Sequence, residues 1–350
     1  MTDSPSVAGT DDRPPGETRA AGQPVSGTGR TVTAVVAANF TRWLPYILVP
    51  VLFILSLFFI PGYFSKLSII SLLILSSLLG LSSLGQTMTI IAGGIDLSIP
   101  AVIGLSDIIV TQLYYKHWSL PVIFLVIAGA AILIGTINAV SSVLLHVHSL
   151  ITSFGMSLVV SGVALEWSNG ATTGAVPGWI TSSVSAIGHT GPIPIPLIII
   201  VWAIASVLAV AFMQLTRVGR ETYALGANAV AARLATVRST WVLVVVFSIS
   251  ALCAALVGVF FAGYSGIPDP TVGQPYFFLT ITAVMIGGTS LLGGRGGYLR
   301  TVMGALIVAE LTTLLVGVGF NASFQELALG ILVIALTSTY GREIKVAAKI

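Results

Sequence analysis

Long apolar runs separated by short polar segments dominate the chain and predict an all-α polytopic membrane protein with about ten transmembrane helices. Most runs are close to the roughly 20 residues that a helix needs to cross the hydrocarbon core, whereas the eighth and tenth are shorter and need packing or tilt to compensate. The predicted spans are residues 44–60, 67–91, 99–115, 120–145, 150–167, 195–215, 241–263, 277–286, 302–318 and 327–337.

The same pattern divides the chain into three regions. Residues 1–42 are rich in proline, glycine, serine and threonine, which predicts a disordered cytoplasmic tail. This tail lacks the apolar core of a signal peptide, so we expect the first span to be retained as a helix. Residues 43–340 are predicted to form the transmembrane domain, with a polar cytoplasmic segment at 216–240. Residues 341–350 are predicted to form a second cytoplasmic tail.

Composition excludes a soluble protein of this size. Hydrophobic residues make up 55% of the 350 residues, charged residues only 8%, and the mean hydropathy is +1.02. The net charge of +3 and the pI near 9.1 reflect basic residues placed between spans, so they do not indicate nucleic-acid binding. The single cysteine, Cys253, cannot form an intrachain disulfide and is expected to be buried as a small apolar side chain.

The basic residues also predict the orientation in the membrane. With ten spans and a cytoplasmic N-terminus, only Lys66 and Lys116 lie on the external side. The other thirteen of the 15 basic residues then face the cytoplasm, as the positive-inside rule requires. They are Arg13, Arg19, Arg30, Arg42, Arg217, Arg220, Arg233, Arg238, Arg295, Arg300, Arg342, Lys345 and Lys349. Both termini are therefore predicted to be cytoplasmic.

One segment, residues 92–100, interrupts the apolar pattern. It places Gly93, Gly94 and Asp96 at membrane depth, where a carboxylate costs roughly 3 kcal/mol or more. Ser98 and Pro100 are typical of the start of a new helix, so the segment predicts a broken helix. Asp96 is expected either to line a polar pathway or to cap the freed backbone amides. We interpret the break first as a gate or hinge and second as a direct contact for solute.

Other polar side chains within spans are candidates for the pathway, with helix packing as the competing explanation. They are Gln86, Thr87, Thr89, Asn138, Thr152 and Ser153. Asp107 and Glu310 also lie in predicted spans without an obvious cation, which predicts a cavity, an interface or a protonated carboxyl group. His146 and His148 lack a nearby third ligand, so no metal site is predicted.

The segment 216–240 contains an alanine-rich run, 229–237, which predicts a short helix on the cytoplasmic face. A solvated connector is one explanation, and a docking site for a cytoplasmic partner is the other. Arg220 and Arg233 are suited to bind a carboxylate of such a partner. No phosphate-binding Gly-x-x-x-x-Gly-Lys-Ser/Thr motif occurs in the chain, so the chain is not predicted to bind ATP itself.

Three motifs in register resemble the ribose-type permease family of bacterial ABC importers, from about residue 44 to the C-terminus. The first is Gly93-Gly94-Ile95-Asp96-Leu97-Ser98. The second combines Gly219-Arg220, Tyr223-Ala224-Leu225-Gly226 and Ala231-Ala232-Arg233-Leu234. The third is the glycine-rich loop Gly287-Gly288-Thr289-Ser290-Leu291-Leu292-Gly293-Gly294-Arg295-Gly296.

The resemblance implies a transport subunit that is not itself an enzyme. Members work in the bacterial inner membrane as a pair of identical or related permease subunits. Their partners are an extracytoplasmic solute-binding protein and an ATPase that has two nucleotide-binding domains and binds ATP and magnesium. It adds Gly287, Gly288, Thr289 and Ser290 to the pathway or gate candidates. It also implies that 216–237 couples to the ATPase, through Arg217, Gly219, Arg220, Tyr223, Gly226, Asn228, Ala231, Ala232 and Arg233.

The solute implied is a monosaccharide or related polyol. Pro100 stands where similar permeases have glycine, and Phe277 and Phe278 replace an acidic residue after Tyr276, so the identity of the solute does not carry over from ribose-specific relatives. A nucleoside or branched-chain amino-acid permease is the alternative within the class. A proton-coupled transporter using Asp96, Asp107 and Glu310 is the alternative outside it.

Overall fold

The computed structural model describes residues 45–170, 173–321, 323–332 and 334, and within these ranges it contains helices and no strand. The predicted all-helical fold is confirmed. The predicted tails, 1–42 and 341–350, lie outside the described residues. The helices are α1 (Pro45–Phe59), α2 (Lys66–Ile91), α3 (Ile99–Tyr115), α4 (Leu120–Leu144), α5 (Ser149–Ser168), α6 (Gly178–Ser183), α7 (Leu197–Leu215), α8 (Arg217–Ala227), α9 (Ala229–Leu234), α10 (Ser239–Ser265), α11 (Tyr276–Ile286), α12 (Tyr298–Gly317) and α13 (Ser323–Leu332).

Six helices are long and apolar enough to cross a membrane, namely α2, α4, α5, α7, α10 and α12. The other four predicted spans overlap shorter apolar helices, α1, α3, α11 and α13, and residues 44, 333 and 335–337 of these predictions lie outside the described residues. A multi-pass membrane protein is therefore supported, while ten crossings and cytoplasmic termini remain predictions. Helix α11 stays short because it ends at Ile286, before the two glycines that would have extended it. Helix α12 begins at Tyr298, ahead of the predicted start at 302.

Helices α2 and α10 form the centre of the bundle. In the most apolar stretch of each helix, 61% of the residues of α2 and 56% of those of α10 are buried, compared with 22% in α5 and in α7. The outer helices expose large apolar side chains such as Leu125, Leu158 and Val207. An exposed apolar surface of this extent suits lipid or another apolar partner, not water.

Small residues let the central helices approach closely. Gly80 on α2 lies against the indole of Trp202, whose Nε1 donates to the Tyr298 hydroxyl at 3.0 Å. That hydroxyl donates to the Gly80 carbonyl oxygen at 2.8 Å. A glycine in this position frees both the space for the indole and the carbonyl for the phenol, so α2, α7 and α12 meet at one hydrogen-bonded point.

A buried carboxylate attaches the first helix to the bundle. Glu310 on α12 is buried and accepts hydrogen bonds from the hydroxyls of Ser56 on α1 and Tyr63 in the following turn. Of the environments expected for Glu310, the structure shows an interface between helices. Two hydroxyl donors satisfy the carboxylate where no basic side chain is bonded to it within the described residues.

The polar connector forms two helices, where the sequence predicted one. Helix α8 begins after Thr216, whose hydroxyl accepts from the Gly219 amide at 3.0 Å. Asn228 ends α8 and caps α9 by accepting from the amides of Val230 and Ala231, both at 3.0 Å. Such side chains satisfy the free amides of a first turn, so Thr216 and Asn228 are the sequence signals for both helices.

Candidate functional site

The break between α2 and α3 starts with a helix C-cap that requires glycine. Gly93 has φ +87°, a left-handed conformation that side chains with a Cβ disfavour. The Gly94 amide donates to the Thr89 carbonyl at 2.8 Å and the Gly93 amide to Ile90 at 2.9 Å. This is the Schellman pattern, which closes the last turn and turns the chain away from the helix axis.

Asp96 lies at the centre of a buried hydrogen-bond network. Its Oδ1 accepts from the Ser98 amide at 3.0 Å and from the Ser98 hydroxyl at 2.6 Å. Its Oδ2 accepts from the Ser250 hydroxyl on α10 at 2.7 Å. Asn138 on α4 donates to Ser98 Oγ at 2.8 Å, so the network joins the break to α4 and α10.

Helix α5 holds the backbone of the break. Ser153 Oγ accepts from the Leu97 amide and donates to the Ile95 carbonyl, both at 3.0 Å. Ser149 Oγ accepts from the Ile95 amide at 3.3 Å. Because Gly94 has no side chain, Ser149 fits above the turn, where a Cβ would come within 2.5 Å of its hydroxyl. Two side chains of α5 thus replace the helical hydrogen bonds that the break gives up.

This geometry changes the expected role of Ser98. The residue stands at the N-cap of α3, as predicted, but its side chain accepts no bond from the first turn. It instead relays Asn138 to Asp96, and the carboxylate binds the Ser98 amide. Asp96 is 2% exposed. Replacing it with an apolar residue would leave buried donors without their acceptor, at a cost of about 1–3 kcal/mol for a donor that cannot turn to another acceptor.

The three sequence motifs meet at a glycine junction, which we define as Gly93, Gly226, Gly293 and Gly294 around the last carbonyl of α2. The Ile91 carbonyl accepts from the Gly294 amide at 2.9 Å. A Cβ added to Gly226 would overlap the Ile91 oxygen, and one added to Gly293 would come within 3.0 Å of the Gly93 Cα. The end of α2, the end of α8 and the glycine-rich loop therefore touch backbone to backbone.

Tyr223 forms a second link between the connector and the glycine-rich loop. Its hydroxyl donates to the Gly296 carbonyl at 3.1 Å. Burial raises the pKa of the Tyr223 phenol, and the nearby charge of Arg300 opposes that shift. The phenol therefore remains a neutral donor at physiological pH. Helix α8 is fixed to the loop at two points, Tyr223 and the glycine junction.

The predicted coupling residues divide into an inward and an outward set. Gly219, Tyr223, Gly226 and Ala232 pack against the protein. The outward set is exposed, and in it Arg217 pairs with Glu221 at 2.7 Å and Arg220 donates to the Leu215 carbonyl at 3.1 Å. Its members are Arg217, Arg220, Asn228, Ala231 and Arg233.

Helix α9 adds exposed apolar side chains to the outward set. Val230 is 61% exposed and Leu234 is 83% exposed, four residues apart and next to Arg233. Residues at this spacing lie on one face of a helix. The combination of two apolar side chains and one guanidinium is typical of a surface that a protein partner covers.

The remaining pathway candidates do not join the Asp96 network. Thr87 pairs with Thr301 at 2.9 Å, and Thr89 donates to the Gln86 carbonyl at 3.0 Å. Thr152 bonds its own helix, and Ser290 Oγ accepts from the Leu292 amide in the glycine-rich loop. Gly287 lies against α12 and Gly288 has φ +79°. Two candidates, Gln86 and Thr289, are buried, and their side-chain polar atoms have no hydrogen-bond partner.

Asp107, on α3, lies beside the turn at residues 268–270. Its Oδ1 accepts from the Asp269 amide at 3.1 Å, while its Oδ2 is buried without a partner. Across the described ranges, no three His, Cys, Asp or Glu side chains come together as metal ligands. Sequence reasoning missed Ser149 and Ser250, because a serine within or beside an apolar span carries no signal for a partner more than 50 residues away.

Comparison with known proteins agrees with these motifs. Residues 68–337 match the family described as branched-chain amino acid transport system / permease component. A ribose import permease protein of Haemophilus influenzae is 32% identical over 290 residues, covering 80% of this chain and 87% of the relative. One from Bacillus subtilis is 30% identical over 275 residues, covering 78% and 84%. An autoinducer 2 import system permease protein of Escherichia coli is 28% identical over 297 residues, covering 82% and 84%. No solved structure matches the chain.

Proposed function

The chain belongs to the branched-chain amino acid transport system / permease component family, with ribose-type import permeases among its relatives, and we propose that it is the membrane subunit of an ATP-driven sugar importer. The solute would be a monosaccharide or related polyol, delivered by an extracytoplasmic binding protein. ATP and magnesium would be held by a partner ATPase. A second permease subunit, identical or related, would complete the complex.

The glycine junction is the observation that carries this proposal. It joins the connector at 216–240, the break and the glycine-rich loop by direct backbone contacts, with no side chain between them. A displacement of α8 by an ATPase would therefore reach the cytoplasmic end of α2 directly. Packed elements with two discrete arrangements transmit such shifts, as alternating access requires.

The outward face of α8 and α9 is the proposed docking site for the ATPase. Val230 and Leu234 would enter an apolar groove, and Arg233 would bind a carboxylate beside it. Docking would bury apolar surface worth about 25 cal/mol per Å², and the guanidinium would fix the orientation. The inward residues Tyr223 and Gly226 would then pass the motion on.

Reconstitution tests the proposal. The chain, its ATPase and its binding protein are placed in proteoliposomes, and uptake is measured with ATP and with an ATPase variant that cannot hydrolyse it. We expect uptake when the active ATPase is supplied with ATP, and no uptake with the inactive ATPase. Uptake that persists without ATP and collapses with the proton gradient would instead indicate a proton-coupled transporter.

A branched-chain amino acid is the second candidate solute, because the family description names that class. The solute-binding protein that works with this chain would decide between the candidates. Its melting temperature is measured with pentoses, hexoses, polyols, nucleosides and branched-chain amino acids. A ligand at 100 times its dissociation constant stabilises the binding protein by about 2.7 kcal/mol. We expect a sugar or polyol to raise the melting temperature and the amino acids to leave it unchanged.

A further inference from the structure

A groove lies where helix α8 meets the start of helix α10. It has a volume of about 290 Å³ and is lined by Arg217, Val218 and Glu221 of α8 and by Arg238 and Trp241 at the start of α10. This is the space of about ten water molecules, which suits a phosphoglycerol headgroup and not a whole lipid. We call it the arginine groove. Its lining residues belong to α8 and α10, and not to the face of α9 that is proposed for the ATPase.

The arginine groove lies at the level where lipid headgroups begin. Helix α7 has 19 residues and is therefore about 28 Å long, close to the thickness of the hydrocarbon core. Arg217 follows the last residue of α7 by two positions, and Arg238 shares the groove with it. Leu215, that last residue, is 75% exposed, and Trp241 is 58% exposed. An exposed leucine and an exposed tryptophan at this depth are typical of side chains that contact lipid.

The arginine groove has an excess of positive charge. Arg217 Nε donates to Glu221 Oε1 at 2.7 Å, which leaves the terminal NH2 groups of the guanidinium for another acceptor. Within the described part of the chain, no carboxylate pairs with Arg238. Two arginines and one glutamate give a net charge of +1. Arg220, which donates to the Leu215 carbonyl at 3.1 Å, adds a further positive charge at the end of α7.

The start of α10 adds to this charge. Arg238 stands at the N-cap of α10, and its side chain makes no capping hydrogen bond. The amides of the first turn therefore keep their partial positive charge beside the groove. The arginines and the helix start together favour a negatively charged group.

We propose that the arginine groove binds the headgroup of an anionic phospholipid of the cytoplasmic leaflet, with Arg217 and Arg238 on the phosphodiester and Trp241 beside the glycerol. This site goes beyond the proposed function and rests on the predicted cytoplasmic position of the connector. Guanidinium groups bind phosphate oxygens in bidentate pairs, and basic pockets between helices at the cytoplasmic surface are typical sites for anionic lipids. An acidic segment of the ATPase matches the charge too, but the exposed Leu215 and Trp241 favour lipid.

A lipid in the groove would connect the connector to the transmembrane bundle. One wall belongs to α8, which also holds Tyr223 and Gly226 against the glycine-rich loop. The other wall belongs to the start of α10, a central helix of the bundle. The bound headgroup would therefore stabilise the position of α8 at the membrane surface.

Thermal unfolding of the full chain in detergent tests the site. Phosphatidylglycerol and phosphatidylcholine with the same acyl chains are titrated at constant ionic strength. We expect phosphatidylglycerol alone to raise the melting temperature. Arg238→Gln should weaken the apparent affinity for phosphatidylglycerol about fivefold, the share of one arginine near an anionic headgroup. Arg295→Gln removes the same charge at an exposed position outside the groove and should leave the affinity unchanged. An equal loss in both variants would indicate diffuse attraction and overturns the proposal.

Trp241 gives a second readout that does not depend on stability. Phosphatidylglycerol with brominated acyl chains should quench tryptophan fluorescence more than brominated phosphatidylcholine does. The excess should disappear in Trp241→Phe and decrease in Arg238→Gln. No excess quenching in the wild type, or an excess that Trp241→Phe retains, overturns the proposal.

Two further outcomes would assign the groove to another occupant and overturn the lipid proposal. Inorganic phosphate that raises the melting temperature as much as phosphatidylglycerol would indicate a site for soluble anions. Loss of ATPase binding in Arg238→Gln, with unchanged affinity for phosphatidylglycerol, would indicate an ATPase contact. The lipid measurements need neither ATP nor solute, so failure of the proposed function is seen separately, as absence of ATP-driven uptake.

Discussion

The break at residues 92–98 and helix α9 differ in whether their side chains are bonded within the protein or exposed at its surface. In the break, Asp96 and the neighbouring amides find partners within the protein, and the carboxylate is 2% exposed. In α9, Leu234 is 83% exposed and Arg233 is exposed beside it. The first region is closed, so its residues determine stability. The second is open, and its residues are available for a partner. Substitutions that separate folding from coupling test this difference.

The largest effect is expected for Gly226→Val, at the point where the two regions touch. The new side chain would overlap the Ile91 carbonyl and approach the Gly294 amide, and backbone atoms on both sides cannot move aside independently. We expect a loss of about 3 kcal/mol in the free energy of unfolding and no coupled ATP hydrolysis. Thermal unfolding in detergent and ATPase assays of the complex measure the two losses.

The control for that substitution is Gly297→Ala in the same loop. Gly297 has φ 172°, which any residue adopts, and the atom nearest to an added Cβ is the Tyr223 hydroxyl at 3.8 Å. We expect its stability within about 0.5 kcal/mol of the wild type. Equal tolerance of both substitutions would show that the glycine junction is not tight.

A smaller loss is expected for Asp96→Leu, at the centre of the closed region. The change leaves the Ser98 amide without its acceptor, which costs about 2 kcal/mol, whereas the hydroxyls of Ser98 and Ser250 can rotate toward another acceptor. In Asp96→Asn the amide oxygen still accepts from Ser98, and the Ser250 hydroxyl can turn to accept from the amide nitrogen. We expect Asp96→Asn to unfold within about 1 kcal/mol of the wild type and to retain uptake. A loss of uptake in a stable Asp96→Asn variant would show that the charge itself is needed.

In the open region, Arg233→Glu is expected to change coupling without changing the fold. Reversing an exposed charge leaves the free energy of unfolding within about 0.5 kcal/mol. Loss of one charge-assisted hydrogen bond to the ATPase reduces solute-stimulated ATP hydrolysis by about tenfold. Lys116→Glu, at the predicted external end of α3, is the control with the same charge change. Normal stimulation in Arg233→Glu would remove the docking role.

The smallest effect is expected for Leu234→Ser on the same face. The serine removes part of an apolar contact worth about 1 kcal/mol, so stimulated hydrolysis falls about fivefold while the melting temperature stays unchanged. The substitution Ala232→Ser, at a buried position of the same helix, should instead lower the melting temperature. A Leu234→Ser variant that unfolds early would show that α9 packs against this chain and is not free for a partner.

The sequence predicts the positions of the helices better than the contacts between them. Apolar runs located every long helix, and the glycines at 93 and 94 with Asp96 located the break, because both signals are local. Ser250 could not be chosen from the many small residues of α10, since only packing brings it to Asp96, 154 residues away. The sequence-based prediction did not include helix α8, although Thr216 and Asn228 are residue types typical of helix ends. The composition of α8 is polar, so it lacks the continuous apolar run by which the membrane helices were located.

The three resemblance motifs carried more structural information than their separate positions suggested. In the sequence, the glycines at 93, 226 and 294 lie in different segments, and nothing local indicates contact. In the fold Gly294 donates to the Ile91 carbonyl, Gly226 packs against the same carbonyl, and Gly93 lies against Gly226 and Gly293. A glycine required for approach to another backbone differs from one required for a turn, and sequence alone does not separate the two.

The attachment of α1 through Glu310 has a consequence for biosynthesis. Ser56 leaves the ribosome 254 residues before the carboxylate that it binds. At about 5–20 residues per second, α1 waits about 13–50 s before its acceptor exists. Until then the hydroxyls of Ser56 and Tyr63 lack the carboxylate that they bind in the folded chain. The final attachment of α1 to the bundle therefore follows the synthesis of α12.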